Sequence, residues 1–126
     1  MNLQHILIVG AGGFIGAILR YLSNLAMSGL YKSTGWPIST LVINVVGSLL
    51  IGVLSKYMEK HEAFPEEIRL ALMVGVLGAF TTYSTFSNET VSLFLNGRAM
   101  AASANMFLHL SLGLAAVMFG RYLAGS

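Results

Sequence analysis

Gly75-Val-Leu-Gly-Ala-Phe-Thr-Thr-Tyr-Ser-Thr-Phe-Ser-Asn-Glu89 is a run of small, hydroxylated and aromatic residues inside a segment otherwise apolar enough to cross a membrane. A helix in hydrocarbon cannot leave backbone groups unpaired. Gly75, Gly78 and the hydroxyl cluster therefore predict irregular backbone that lines protein or water rather than lipid. The stretch has the composition of a transport site, and the rest of the chain reads as its support.

The whole chain agrees with a membrane setting. Of 126 residues, 56% are hydrophobic and only 10% charged, with a mean hydropathy of +0.75, whereas soluble domains carry about 25% charge. The fold class expected is an all-α integral membrane protein. Cysteine is absent, which removes disulfides and thiolate metal sites, and a net charge of +2 is too small to argue for nucleic acid. Aspartate is absent as well, and no Ser-His-Asp set, HExxH or phosphate-cradling GxGxxG occurs, so an enzyme is not expected. Met1 to His5 has no basic region that would mark a cleavable leader.

About 20 helical residues cross the roughly 30 Å hydrocarbon core. On that measure residues 1–126 form one four-span domain, with spans at about 3–30, 38–58, 68–95 and 100–123. Ser28 to Pro37 reads as a loop, with Tyr31 and Trp36 at the interface and Pro37 where a helix begins. Lys56 to Glu67 is the one strongly polar stretch and reads as a solvated loop; His61 has no partner at metal-ligand spacing and is expected to be exposed and inert. Asn96-Gly97-Arg98 is a tight turn.

Within the spans a few residues stand out. Gly12 and Gly16 form a small-xxx-small pair that permits close helix approach. Arg20 sits near the end of span one, where arginine either snorkels or organises an ion or a dimer. In span two Thr40, Asn44 and Ser48 fall at i, i+4 and i+8 on one face. Such a stripe usually bonds a neighbouring helix, but the Asn44 amide also brings two donors to mid-membrane depth. Span four contributes Asn105, His109 and Ser111.

Four spans place both termini on one side. Lys56, Lys60, Arg69 and Arg121 lie there, against Lys32 and Arg98 opposite. This bias is weak under the positive-inside rule, so the chain is expected to insert both ways and form an antiparallel two-fold dimer with any site built twice.

Glu89 is the one intramembrane carboxylate, and it is outnumbered by donors from Asn44, Thr81, Thr82, Ser84, Thr85 and Ser87. The edges of Tyr83 and Phe86 add partial positive charge. These features favour a small hard anion, while carbonyls freed by a helix break suit a cation such as sodium. A kinked helix whose hydroxyls bond back to its own carbonyls is the plain alternative for an isolated cluster.

Gly78-Ala-Phe-Thr-Thr-Tyr-Ser-Thr-Phe86, followed by Ser87, Asn88 and Glu89, resembles the Gly-Gly-x-Thr-Thr-Phe-Ser-Thr-Phe signature of the Fluc (CrcB) fluoride channels. The likeness extends to the Ile-Leu-Arg20-Tyr end of span one, the Gly-Trp-Pro-x-x-Thr40-Leu-Val-Ile-Asn44 opening of span two and the Asn-Gly-Arg turn. It implies four transmembrane helices with the third broken at its centre, in a dual-topology antiparallel homodimer of the bacterial inner membrane. It also implies two pores giving passive, electrogenic fluoride efflux, and a structural sodium ion at the dimer centre. By the resemblance, the backbone carbonyls of Gly78 and Thr81 hold sodium. Asn44 donates to fluoride, Tyr83 and Phe86 meet it edge-on, and Thr82, Ser84, Thr85, Glu89 and His109 lie along the pore. Arg20 and Thr40 fall at vestibule or structural positions.

The chain departs from the pattern in three places. Ala79 replaces the second signature glycine, Tyr83 replaces the first phenylalanine, and Gly113 stands where the family often has a serine one turn after His109. A small multidrug-type, proton-coupled cation transporter is the rival reading. It needs a carboxylate inside span one, where Arg20 is the only charged residue.

Overall fold

Asn2 starts the first helix, its side-chain oxygen accepting the Gln4 N–H at 2.9 Å. In the computed structural model, which describes residues 2–126, this helix, α1 (Leu3–Thr34), runs through most of the segment expected to be a loop. The reason lies in its hydroxyls. Ser28 donates to the Leu25 carbonyl, and Ser33 and Thr34 donate to the Leu30 carbonyl, so polar residues that favour turns are absorbed into the last helical turns. Gly35 ends the helix in the left-handed region at φ 68°.

α2 (Ile38–Lys60) begins directly after Pro37. The third span, Glu66–Leu95, is assembled from unlike pieces. α3 (Glu66–Arg69) opens it behind Pro65, with Glu66 and Glu67 in the first turn. Leu70–Leu77 then continues as a π-helix, α4 (Gly78–Phe80) follows, and α5 (Tyr83–Leu95) completes the span. Between α4 and α5 the backbone is extended at Thr81 (φ −84°, ψ 158°) and Thr82 (φ −153°, ψ 121°). After a turn at Gly97 (φ 73°), α6 (Ala99–Gly125) closes the chain.

The four spans, Leu3–Thr34, Ile38–Lys60, Glu66–Leu95 and Ala99–Gly125, are each long and apolar enough to cross a membrane. They pack as two strips. α1 lies along the π-helical stretch and α4, while α2 lies along α6, with α5 against α6.

Both strips are built on glycine. A Cβ on Gly12 would meet the Ala71 carbonyl, and one on Gly16 would meet that of Val76. Gly52 and Gly120 likewise bring α2 and α6 together, against the Val117 and Leu49 carbonyls. The α2–α6 strip is also fastened at both ends. Trp36 Nε1 donates to the Ala101 carbonyl at 3.2 Å and Arg98 Nη1 to that of Gly35; at the other end Arg121 Nη2 meets both Glu59 carboxylate oxygens at 2.8 and 3.0 Å.

Candidate functional site

The extended pair Thr81–Thr82 creates a backbone problem. The Thr81 N–H still reaches the Leu77 carbonyl at 3.0 Å, but the Thr82 N–H turns away from Gly78. Asn44 of α2 receives it: Oδ1 accepts from the Thr82 N–H at 2.9 Å while Nδ2 donates to the Thr82 carbonyl at 3.0 Å. One amide thus replaces both helical partners of one residue, and the N–H it accepts fixes which way the amide points. A second Nδ2 hydrogen is left over.

Two sets of backbone groups are released on either side. Among the described residues, the i+4 backbone N–H groups do not reach the carbonyls of Gly78 and Thr81: that of Thr82 goes to Asn44 and that of Thr85 to the Thr82 hydroxyl. On the α5 side, the Thr82 hydroxyl caps the helix by accepting from the Thr85 N–H at 3.3 Å, and it donates to the Thr85 hydroxyl at 3.1 Å. The first α5 N–H groups, at Tyr83 and Ser84, stand at the helix N-terminus, where no residue of α5 itself can accept them.

A cavity of about 380 Å³ lies against this junction, lined by Asn44, Ser48, Thr82, Tyr83, Phe86 and His109 together with apolar side chains of α2 and α6. No carboxylate lines it. Phe86 and His109 pack ring on ring, with centroids 4.2 Å apart and a tilt of 36°. Tyr83 is 5.8 Å from Phe86 and 80% exposed. His109 Nδ1 lies 3.1 Å from the Asn105 carbonyl, while its Nε2 is buried without a hydrogen-bond partner.

A second cavity of about 520 Å³ lies toward the α1–α2 turn and holds two more of the predicted residues, Thr40 and Glu89. Here Thr40 donates to Glu89 Oε1 at 2.7 Å, and Glu89 Oε2 is buried without a partner. Asn24, Ser39, Lys32 and Arg98 also line it. The stripe on α2 therefore serves both cavities, Thr40 toward Glu89 and Asn44 and Ser48 toward Phe86 and His109.

The structure gathers most, but not all, of the residues picked out from sequence. Asn44, Thr82, Tyr83, Phe86 and His109 share the first cavity, and Thr40 and Glu89 the second. Thr81 lines the first cavity too, but its hydroxyl bonds back to Leu77 at 3.0 Å. Ser84 touches Thr82 at 3.4 Å and lines neither cavity. Arg20 also lines neither, and makes no hydrogen bond or ion pair with the described residues.

Ser111 bonds back to the Phe107 carbonyl at 2.7 Å and does not enter the site. Gly113 does face α2: a Cβ there would lie 3.8 Å from Ser48 Oγ. His61 is exposed, as its isolation in sequence suggested, and stacks on Tyr57.

Thr90 is a residue that sequence reasoning passed over. It accepts from fully buried Asn105 Nδ2 at 2.9 Å and donates to the Phe86 carbonyl at 2.8 Å, so it ties α6 to the turn carrying Phe86. Its place one turn after Phe86 was the available signal.

Comparison with known proteins places this geometry in context. The family profile described as "CrcB-like protein, Camphor Resistance (CrcB)" matches residues 7–121. A fluoride-specific ion channel FluC of Elusimicrobium minutum is 47% identical over 94% of this chain and 91% of its own. FluC proteins of Ruminiclostridium cellulolyticum and Shewanella amazonensis are 41% and 43% identical, each over more than nine-tenths of both chains.

Proposed function

This chain belongs to the CrcB family, and from that premise we propose that it is a fluoride-specific ion channel, a multi-pass protein of the bacterial inner membrane rather than an enzyme. The observation that carries the reading is the junction at Thr82. Asn44 holds the backbone open there, keeps one amide hydrogen in reserve, and borders a cavity with Phe86 and the N-terminal end of α5. Amide hydrogens, ring edges and a helix N-terminus all favour a small anion, and no carboxylate lines the cavity to oppose one.

The pore in this reading runs from the Lys32 and Arg98 vestibule past Thr40 and Glu89 to Asn44, Phe86 and His109. Thr82 and Thr85 hold the turn, Ser84 and Tyr83 lie at its rim, and Arg20 acts at a vestibule outside the cavities of one protomer. Fluoride moves down its own gradient and carries its charge with it. The third helix is read as broken at its centre, a reading supported by the extended dihedrals at Thr81 and Thr82.

Two protomers in antiparallel, dual-topology arrangement would supply two such pores. The weak basic-residue bias supports this. A structural sodium ion at the dimer centre fits the carbonyls of Gly78 and Thr81. Both are hard oxygen donors without an i+4 N–H partner, and no cluster of metal-binding side chains competes among the described residues.

Flux from liposomes loaded in turn with fluoride, chloride and a drug-like cation tests the reading. Fluoride is expected to leave passively and electrogenically while chloride stays. Robust chloride efflux, or movement coupled to a proton or cation gradient, would overturn it.

A further inference from the structure

His109 is held in one tautomer. Its Nδ1 lies 3.1 Å from the Asn105 carbonyl, and a carbonyl can only accept, so in the neutral ring Nδ1 carries the hydrogen. Nε2 is then a bare lone pair. It is buried, has no donor among the described residues, and belongs to a ring that lines the same cavity as Asn44 and Phe86. A lone pair repels an anion. A proton on Nε2 reverses this, because it makes the atom a donor and gives the ring a positive charge, while the Nδ1 bond to Asn105 is kept.

Burial of the ring opposes that charge, and the backbone carbonyls of Asn105 and Thr40 beside it favour it. The Phe86 ring, 4.2 Å away, offers its face to an imidazolium. The elements packed on α6 bring little else that titrates: α2 contributes Asn44, Ser48 and Ile51 to this cavity, and α5 contributes Tyr83. Glu89, also on α5, lines the other cavity and is engaged by Thr40. The titratable groups of α2, Lys56, Tyr57, Glu59 and Lys60, lie at its far end. His109 therefore changes charge without a neighbouring charge inside the cavity to offset it.

We propose that His109 is a proton-operated anion donor, so that protonation of Nε2 and occupancy of the cavity by fluoride favour each other. This rests on the fluoride reading above. Binding of the two is linked and reciprocal, so each raises the affinity for the other. The proton is not transported: it sets occupancy while fluoride passes, which distinguishes this from proton-coupled exchange.

Fluoride current across planar bilayers at equal pH on both sides is the decisive measurement, because hydrogen fluoride crosses lipid neutral and carries no current. Between about pH 5 and pH 8, where imidazole changes charge, the current is expected to fall as pH rises, by about fivefold or more. His109→Gln, which keeps a neutral donor, should give a flat profile. Changing His5 and His61 to Gln should leave the wild-type slope in place.

A second readout does not depend on a variant assembling. Nitrogen-15 spectra of the wild-type histidines should show fluoride shifting the His109 titration to higher pH. Absence of that shift, a flat wild-type current, or an unchanged slope in His109→Gln overturns the inference. So does a slope that survives in His109→Gln and disappears in Glu89→Gln. No fluoride current at any pH would overturn the channel reading and this inference together, whereas fluoride current flat in pH overturns this inference alone.

Discussion

The two halves of the third span are built by opposite means. Leu70 to Phe80 is held by backbone: it lies so close along α1 that a Cβ on Gly75 would come within 2.9 Å of both Gly12 Cα and the Val9 carbonyl, so there is no room for a side chain at that crossing. Tyr83 to Leu95 is held by side chains, through Thr40 to Glu89, Asn105 to Thr90 and the Phe86–His109 pair. Steric closeness tolerates no added atom, whereas hydrogen bonding tolerates shape changes but no lost partner. Asn44 serves the joint between them.

Substitution at that joint should have the largest effect. Asn44→Leu leaves the Thr82 N–H and carbonyl unpaired, at about 1–3 kcal/mol for each buried group. The expected outcome is a total loss of about 2–6 kcal/mol with loss of fluoride flux, read by thermal melting in detergent followed through Trp36 fluorescence. An unchanged melt would show that water or lipid headgroups satisfy the two groups instead.

In the first half, Gly16→Val places atoms against the Val76 carbonyl and Ala79. Overpacking of this kind typically costs about 1–3 kcal/mol. The same melt should register it, and a neutral result would mean that α1 and the third span can separate freely. The smallest effect belongs to the second half. Ser87 bonds back to the Tyr83 carbonyl at 3.1 Å and lines neither cavity, so Ser87→Ala should stay within about 0.5 kcal/mol and keep its flux. A large loss of flux there would move the ion path onto a face of α5 that the cavities do not reach.

Much of the architecture was legible because hydrophobicity writes membrane spans directly into composition. The spacing of Thr40, Asn44 and Ser48 likewise told that one face of α2 meets other helices. What was not legible depends on partners far apart in sequence. Asn44 read as a pair of free donors, yet one donor and the acceptor are taken by Thr82, 38 residues away. The end of α1 read as a loop because Ser28, Ser33 and Thr34 favour turns, and only their bonds to Leu25 and Leu30 show otherwise. Leu70 to Leu77 carries no mark of its π geometry, since an apolar run looks alike at either pitch.

That π-helix has a consequence for how the chain tolerates change. Its bonds reach one residue further than those of an α-helix, so it stows extra chain in a given length of span. Chain length and span length are uncoupled there in one direction. A residue lost between Leu70 and Leu77 would draw on that extra chain, whereas one added would press on the contacts that Ala71, Gly75 and Val76 make with Gly12 and Gly16. The stretch holds spare chain one turn ahead of the extended pair Thr81–Thr82, and it can give length but not take it.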